Sequence, residues 1–182
     1  MAFCLWITGL PGSGKSTIAK ELGRMFSEAG IHFVTLSLDQ IRKVLTPEPK
    51  YTDQEREIVY RSLVVMAQLI VEQCSKNVII DATGHRRAFR NLARQLISEF
   101  AEVYVKCPFE ICQLREASRN VQNVEKKLYQ KAKSGQLHGE LPGVSVPYED
   151  PQDPEVRVPS DKLTSRKSAE KIMEYIRSRW VP

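Results

Sequence analysis

Long apolar runs are missing from this chain of 182 residues. No stretch approaches the roughly 18 consecutive apolar residues that a membrane-spanning helix needs, so no membrane partner is expected. Cysteine is scarce: Cys4, Cys74, Cys107 and Cys112 are the only four, and none forms a C-x-x-C pair. That argues against a disulfide scaffold or a zinc ribbon; reduced, mostly buried thiols of a cytoplasmic protein are the expectation. The three histidines, His32, His85 and His138, lie far apart and show no zinc spacing. Neither charge sign dominates. Lys and Arg number 27 against 22 Asp and Glu, a formal charge of +5. A mild excess of this kind suits an anionic small molecule as well as a nucleic acid. The interleaving of aromatic and basic residues used by single-strand binders is also lacking, so no nucleic-acid partner is expected. Internal repeats and low-complexity tracts are absent.

What is present is ordinary for a globular chain: 42% apolar and 27% charged residues. The length suits one domain over residues 1–182 with a full core. The apolar start, MAFCLWITGL, has no basic n-region and no A-x-A site, and it runs directly into a glycine-rich motif. It reads as a core strand rather than a signal peptide.

Along the chain, strand and helix patterns alternate. Phe3–Thr8 reads as a buried strand. Ser16–Ala29 places Ile18, Leu22, Met25, Phe26 and Ala29 on one helix face, with Gly30 placed to stop it. His32–Leu36 reads as a second strand with Asp39 just beyond it. Thr52 and Glu55 match a capping box, followed by a helix that uses Val59, Leu63, Met66 and Ile70. Asn77–Ile80 is a third strand, delivering Asp81 at its end. A helix over Arg87–Phe100, a strand over Glu102–Lys106 and a helix from about Glu110 follow. From Arg115 to Glu149 apolar periodicity fades, and six basic residues (Arg115, Arg119, Lys126, Lys127, Lys131 and Lys133) lead into Pro142-Gly143 and Pro147. This stretch reads as a mobile lid. A last strand over Val156–Val158 and a helix through Ala169, Ile172, Met173 and Ile176 close the chain. The alternation predicts an α/β fold, a doubly wound parallel sheet covered on both faces. Ligands of such sheets bind at the carboxyl ends of the strands, which places Gly9, Asp39 and Asp81 on one rim.

The most specific signal is Gly9-Leu10-Pro11-Gly12-Ser13-Gly14-Lys15-Ser16, followed by Thr17. It fits G-x-x-x-x-G-K-[ST], with a strand before it and an amphipathic helix after it. Gly9, Gly12, Ser13 and Gly14 let backbone N–H groups turn toward phosphate oxygens, and the helix N-terminus adds partial positive charge. Lys15 is expected at the β- and γ-phosphates of ATP, and the Ser16 hydroxyl on Mg²⁺. Asp39 and Asp81 suit the two carboxylate tasks of a kinase, orienting an acceptor hydroxyl and holding Mg²⁺; each also suits a helix cap. Arg42, Arg56, Arg86 and Arg87 offer bidentate donors to anionic oxygens, or solvated surface charge. Tyr51 suits stacking on a base or partial burial. Lys126–Lys133 suits a closing lid or a charged helix face.

These pieces resemble the adenylylsulfate kinase (APS kinase) family over nearly the whole chain. Trp6–Thr17 is close to that family's WLTGLSGSGKST, and Asp39 and Arg42 match the last Asp and the Arg of its DGDxxR. Tyr51-Thr52 and Arg56 match its Phe-Ser and the Arg five residues past the Phe. The stretches Glu102–Cys112, Leu128–Gly135 and Pro147-Tyr148-Glu149 resemble EVYV..PLEVC, LYKKARAG and PYE. The resemblance implies a P-loop kinase fold with a lid at about 115–149. It implies the substrates ATP and adenylyl sulfate, Mg²⁺, a role in sulfate activation for sulfate assimilation or for sulfation, and a homodimer. Asp39 would activate the ribose 3′-hydroxyl, Arg42 and Arg56 would bind the acceptor, Tyr51 would stack on its adenine, and Lys131 would act from the lid. The sequence departs from the pattern at Ser37 and Leu38 (the first two residues of DGD), at Val59 (an Asn) and at Asp81 (the Ser of ISP). Ser118–Glu125 reads as an insertion, and Glu140 or Leu141 stands where a lid Phe is usual. The element Asp81-Ala82-Thr83-Gly84 is shared in type with kinases of RNA ends, aminoacyl-tRNA or small metabolites. Another acceptor, or a nucleotide-binding regulatory module, therefore stays open at the level of sequence.

Overall fold

The computed structural model describes residues 1–118, 128–134 and 141–181. Its centre is β1 (Cys4–Thr8), buried at every position. Leu5 and Ile7 point into one core layer, and Cys4 and Trp6 into the other. A strand covered on both faces reads as an unbroken apolar run, as FCLWIT does. α1 (Lys15–Glu28) follows. Gly30 ends it at φ 69°, with Ile31 N–H donating to Phe26 O at 2.8 Å and Gly30 N–H to Ser27 O at 3.2 Å, a Schellman closure.

β2 (Phe33–Ser37) is an edge strand, which is why it is half-exposed. A short helix not expected from the sequence reading, α2 (Leu38–Leu45), begins immediately after it. Asp39 therefore stands in the first turn of a helix and not in a strand-end loop. α3 (Asp53–Glu72) starts at Thr52, whose hydroxyl accepts from Glu55 N–H at 3.2 Å. The reciprocal half of the expected capping box is different. The Glu55 carboxylate reaches past Thr52 to the N–H groups of Lys50 (2.7 Å) and Tyr51 (3.3 Å). On α3, Val59 and Leu63 are fully buried, whereas Met66 and Ile70 are half-buried.

β3 (Asn77–Asp81) lies between β1 and β2. α4 spans Arg87–Leu96, shorter than the expected Arg87–Phe100. The chain turns extended at Ile97, buries it, and starts β4 (Phe100–Lys106) at Phe100. Glu72 accepts from the N–H and hydroxyl of Ser98 and holds this reversal. The helical spacing of Phe100 was thus coincidental; it packs into the same core layer as α4 from a strand. α5 (Phe109–Ala117), α6 (Leu128–Lys133), β5 (Val156–Pro159) and α7 (Ser165–Arg179) complete the described elements. Arg115 belongs to α5, so the lid expectation begins too early. Arg119, Lys126, Lys127, Glu140 and all but the first residue of the expected insertion lie outside the described residues.

The sheet runs β2-β3-β1-β4-β5, with every pairing parallel. One core layer joins α1 and α7 to the sheet, and the other joins α3 and α4. This is the expected doubly wound arrangement. Register brings Ser37 beside Asp81 and Asp81 beside Ile7, so the β1, β2 and β3 ends share one rim.

Candidate active site

The glycine loop is shaped for phosphate before any ligand arrives. Gly9, Gly12 and Gly14 have φ of 153°, 78° and 99°. A Cβ on Gly9 would lie 2.6 Å from Val105 O, and one on Gly12 2.3 Å from Cys112 O. Only glycine fits where the loop is pressed this closely against backbone. Gly14 precedes α1, and Lys15 and Ser16 form its first turn. The Lys15 ammonium is largely buried and donates to Leu10 O at 2.9 Å, so it is folded over the loop's own carbonyl. Ser13 Oγ is buried with no hydrogen-bond partner among the described residues. A buried hydroxyl with no acceptor in a glycine loop at a helix N-terminus fits phosphate oxygens. Ser16 is half-buried and Thr17 exposed on the same turn.

The walls of the loop come from distant parts of the chain. Ser160 Oγ donates to Ser13 O at 2.7 Å, and Arg115 Nη2 donates to Ser160 O at 2.8 Å. Tyr129 on α6 donates its phenol to Pro11 O at 2.7 Å. Tyr129 and Leu141 pack with Leu10, Phe109 and Cys112, so the segment read as a lid rests on the loop's shoulder. Lys131 is half-buried on that same helix. Burial pushes the Cys112 thiol up to about 12; it stays un-ionised beside the loop and packs as an apolar group.

Across the rim, Asp39 is exposed in the first turn of α2, where a carboxylate also complements the helix dipole. Asp81 closes β3 and is half-buried. The acceptor residues expected from sequence form one connected group. Arg42 Nη1 pairs with Glu55 Oε1 at 2.9 Å, and its guanidinium lies 5.2 Å from the centre of the Tyr51 ring. Arg56 is buried and donates from Nε to Tyr51 O at 3.1 Å. Tyr51 holds φ 55°, a strained value for a tyrosine, and Glu55 and Arg56 grip its backbone on both sides. Arg86 pairs with Asp53 at 2.7 Å.

Sequence reasoning missed a second group. Tyr148 donates to Thr8 Oγ1 at 2.8 Å while Thr8 donates to Thr83 O at 2.5 Å. Burial pushes the Tyr148 phenol up, so it stays neutral. Glu149 N–H donates to His85 O at 2.8 Å, and its carboxylate accepts from Arg87 N–H at 2.7 Å. Arg90 is fully buried. It donates to Glu102 at 2.5 Å, to Glu149 O at 2.6 Å and to Gly84 O. The Pro147-Tyr148-Glu149 segment is thereby tied to the ends of β1 and β3. Only the family-like PYE triplet hinted at this; Arg90 carried no signal in the sequence.

A family model described as adenylylsulphate kinase matches residues 1–159. The chain belongs to the adenylylsulphate kinase family. It is 36% identical over 172 residues to the adenylyl-sulfate kinase of Halothermothrix orenii, covering 94% of this chain and 88% of that one. A probable adenylyl-sulfate kinase of Archaeoglobus fulgidus is 36% identical over 165 residues, covering 89% and 98%. In structure, the chain is similar to the Mycobacterium tuberculosis APS kinase solved with AMPPNP and APS. The TM-score is 0.83 at 27% identity, over 96% of this chain and 97% of that one. A sugar kinase from Janibacter shares the fold, with a TM-score of 0.67 at 16% identity. Among the described residues no helix is long and apolar enough to cross a membrane.

Proposed function

We infer that this chain transfers the γ-phosphoryl group of ATP to the 3′-hydroxyl of adenylyl sulfate, giving ADP and 3′-phosphoadenylyl sulfate. The observation that carries the reading is the preformed glycine loop facing a rim that bears Asp39, Asp81 and the Arg42–Tyr51–Arg56 group, in a chain of this family. The loop N–H groups and Lys15 hold the β- and γ-phosphates and offset the charge that develops on their oxygens. Lys15 exchanges Leu10 O for phosphate. Ser16 and Asp81 would hold Mg²⁺, which supplies further neutralisation of the phosphate oxygens when bound. Asp39 orients the acceptor hydroxyl and takes its proton as the oxygen attacks phosphorus. Arg42 and Arg56 hold the acceptor's anionic oxygens, Tyr51 stacks on its adenine, and Lys131 approaches from α6 of the lid. The site lies within a single domain spanning 1–182.

We propose that the activity serves sulfate assimilation in the cytoplasm, a reading supported by four free cysteines. We also propose that two copies associate. Ile58, Val65 and Leu69 line one exposed side of α3, an apolar stripe a second copy would cover; sedimentation at micromolar concentration reads this directly. The activity is tested by replacing Asp39. Asp39→Asn is expected to lower kcat by roughly 10²–10⁴-fold while ATP still binds; near-normal turnover removes Asp39 from the chemistry.

A further inference from the structure

His85 has no place in the mechanism above, yet its setting is unusual. It is 2% exposed, and neither ring nitrogen has a hydrogen-bond partner among the described residues. Its ring is wedged against Tyr60 and Phe89, with centroids 6.2 and 5.6 Å away. Buried polar atoms are nearly always paired, and a Leu or Phe would fill an apolar slot with no such deficit. The charged groups facing it come from three directions. α3 contributes Arg56 and Asp53, the residue's own segment contributes Arg86, and the segment after the lid contributes Glu149. Asp53 is already paired with Arg86, and the Glu149 carboxylate with Arg87 N–H. The uncharged Tyr60 hydroxyl accepts from Gly84 N–H at 3.0 Å. Arg56, one of the proposed acceptor ligands, is thus a direct electrostatic neighbour of an unsatisfied imidazole.

We propose that His85 is a positioning residue for the acceptor, which with Arg56 and Arg86 forms a seat for its phosphosulfate group and takes up a proton from solvent when that group binds. The inference rests on the functional reading above. Burial first and then Arg56 and Arg86 push the imidazole down to about 4, so it is neutral at pH 7. An anion held by those arginines removes much of that opposition. Opposite charge within a few ångströms raises such a group by about 1–3 units. The phosphosulfate anhydride itself does not titrate between pH 5 and 8. Acceptor affinity therefore rises as pH falls, by about fourfold from pH 7.5 to 5.5 for a shift of about 2 units.

The test is titration calorimetry without ATP, in buffers of different ionisation enthalpy, using adenylyl sulfate and, separately, inorganic sulfate. The unmodified chain is expected to take up protons on binding either anion, and the Cε1 proton of His85 to shift in NMR. His85→Phe keeps the aromatic packing, and His85→Gln guards against misfolding of the first variant. At pH 5.5 both are expected to lose the proton uptake and to weaken adenylyl sulfate about fourfold, leaving ATP affinity unchanged. Equal acceptor affinity and pH dependence in the unmodified chain and both variants would overturn the proposal. Failure of adenylyl sulfate to bind at all, with sulfate still moving His85, would instead overturn the acceptor assignment and keep the anion seat.

Discussion

At the scale of single residues, the glycine loop and its lysine were readable because the motif is contiguous and its chemistry is local. Lys15 bonds the loop's own Leu10 O, so Lys15→Ala removes a cation from the phosphates without opening the core. We expect turnover to fall at least roughly 100-fold with the melting temperature nearly unchanged; steady-state ADP release and a thermal melt check both halves. His85 was not readable, because nothing in its neighbours along the chain announces burial without partners. Its effect on stability has a definite sign. The folded state holds the imidazole well below its ordinary 6.5, so the unfolded chain takes the proton first as pH falls. The contribution is complete above about pH 6.5 and is lost progressively toward pH 4, by about 3 kcal/mol in all. Urea melts between pH 7 and 4.5 should show a steeper decline in the unmodified chain than in His85→Phe; parallel curves would contradict the assignment.

At the scale of elements, strands and amphipathic helices were legible where burial is regular, as in β1 and α1. α2 was not: Leu38, Ile41 and Leu45 have helical spacing, but eight residues that begin directly at the end of β2 give only two turns of pattern. The end of α4 was misplaced because Phe100 suits helix and strand spacing alike. The tie between Tyr148, Glu149 and the strand ends joins residues 59 to 140 apart in sequence, beyond the reach of any local pattern. Arg90 organises it. Removing one member of a buried ion pair leaves the other uncompensated, at a cost of about 3–5 kcal/mol. Arg90→Ala is accordingly expected to lower the melting temperature sharply and to raise protease sensitivity at 147–150. Unchanged protection of that segment would separate Arg90 from the tie. Glu55 is a gentler case. It holds Arg42 and the backbone ahead of α3, so Glu55→Gln should raise the acceptor KM several-fold and leave the ATP KM alone.

At the scale of the whole molecule, the parallel sheet gathers residues from five strand ends and the segments beyond them. The donor half of the site is a strand, loop and helix of one piece. The proposed acceptor half is assembled from α2, α3, the β3–α4 turn and the segment around Tyr148, which is why sequence showed its members one by one but not their contacts. Ser37, Val59 and Asp81 depart from the pattern the sequence resembles, all outside the glycine loop, so the identity of the acceptor is where the reading is most exposed to test. The decisive measurement is coupled ADP release with ATP and Mg²⁺, with and without adenylyl sulfate, with the product identified by mass spectrometry. A large acceptor-dependent rate yielding 3′-phosphoadenylyl sulfate is the predicted result. ATP binding with no rate increase on adding adenylyl sulfate would contradict it.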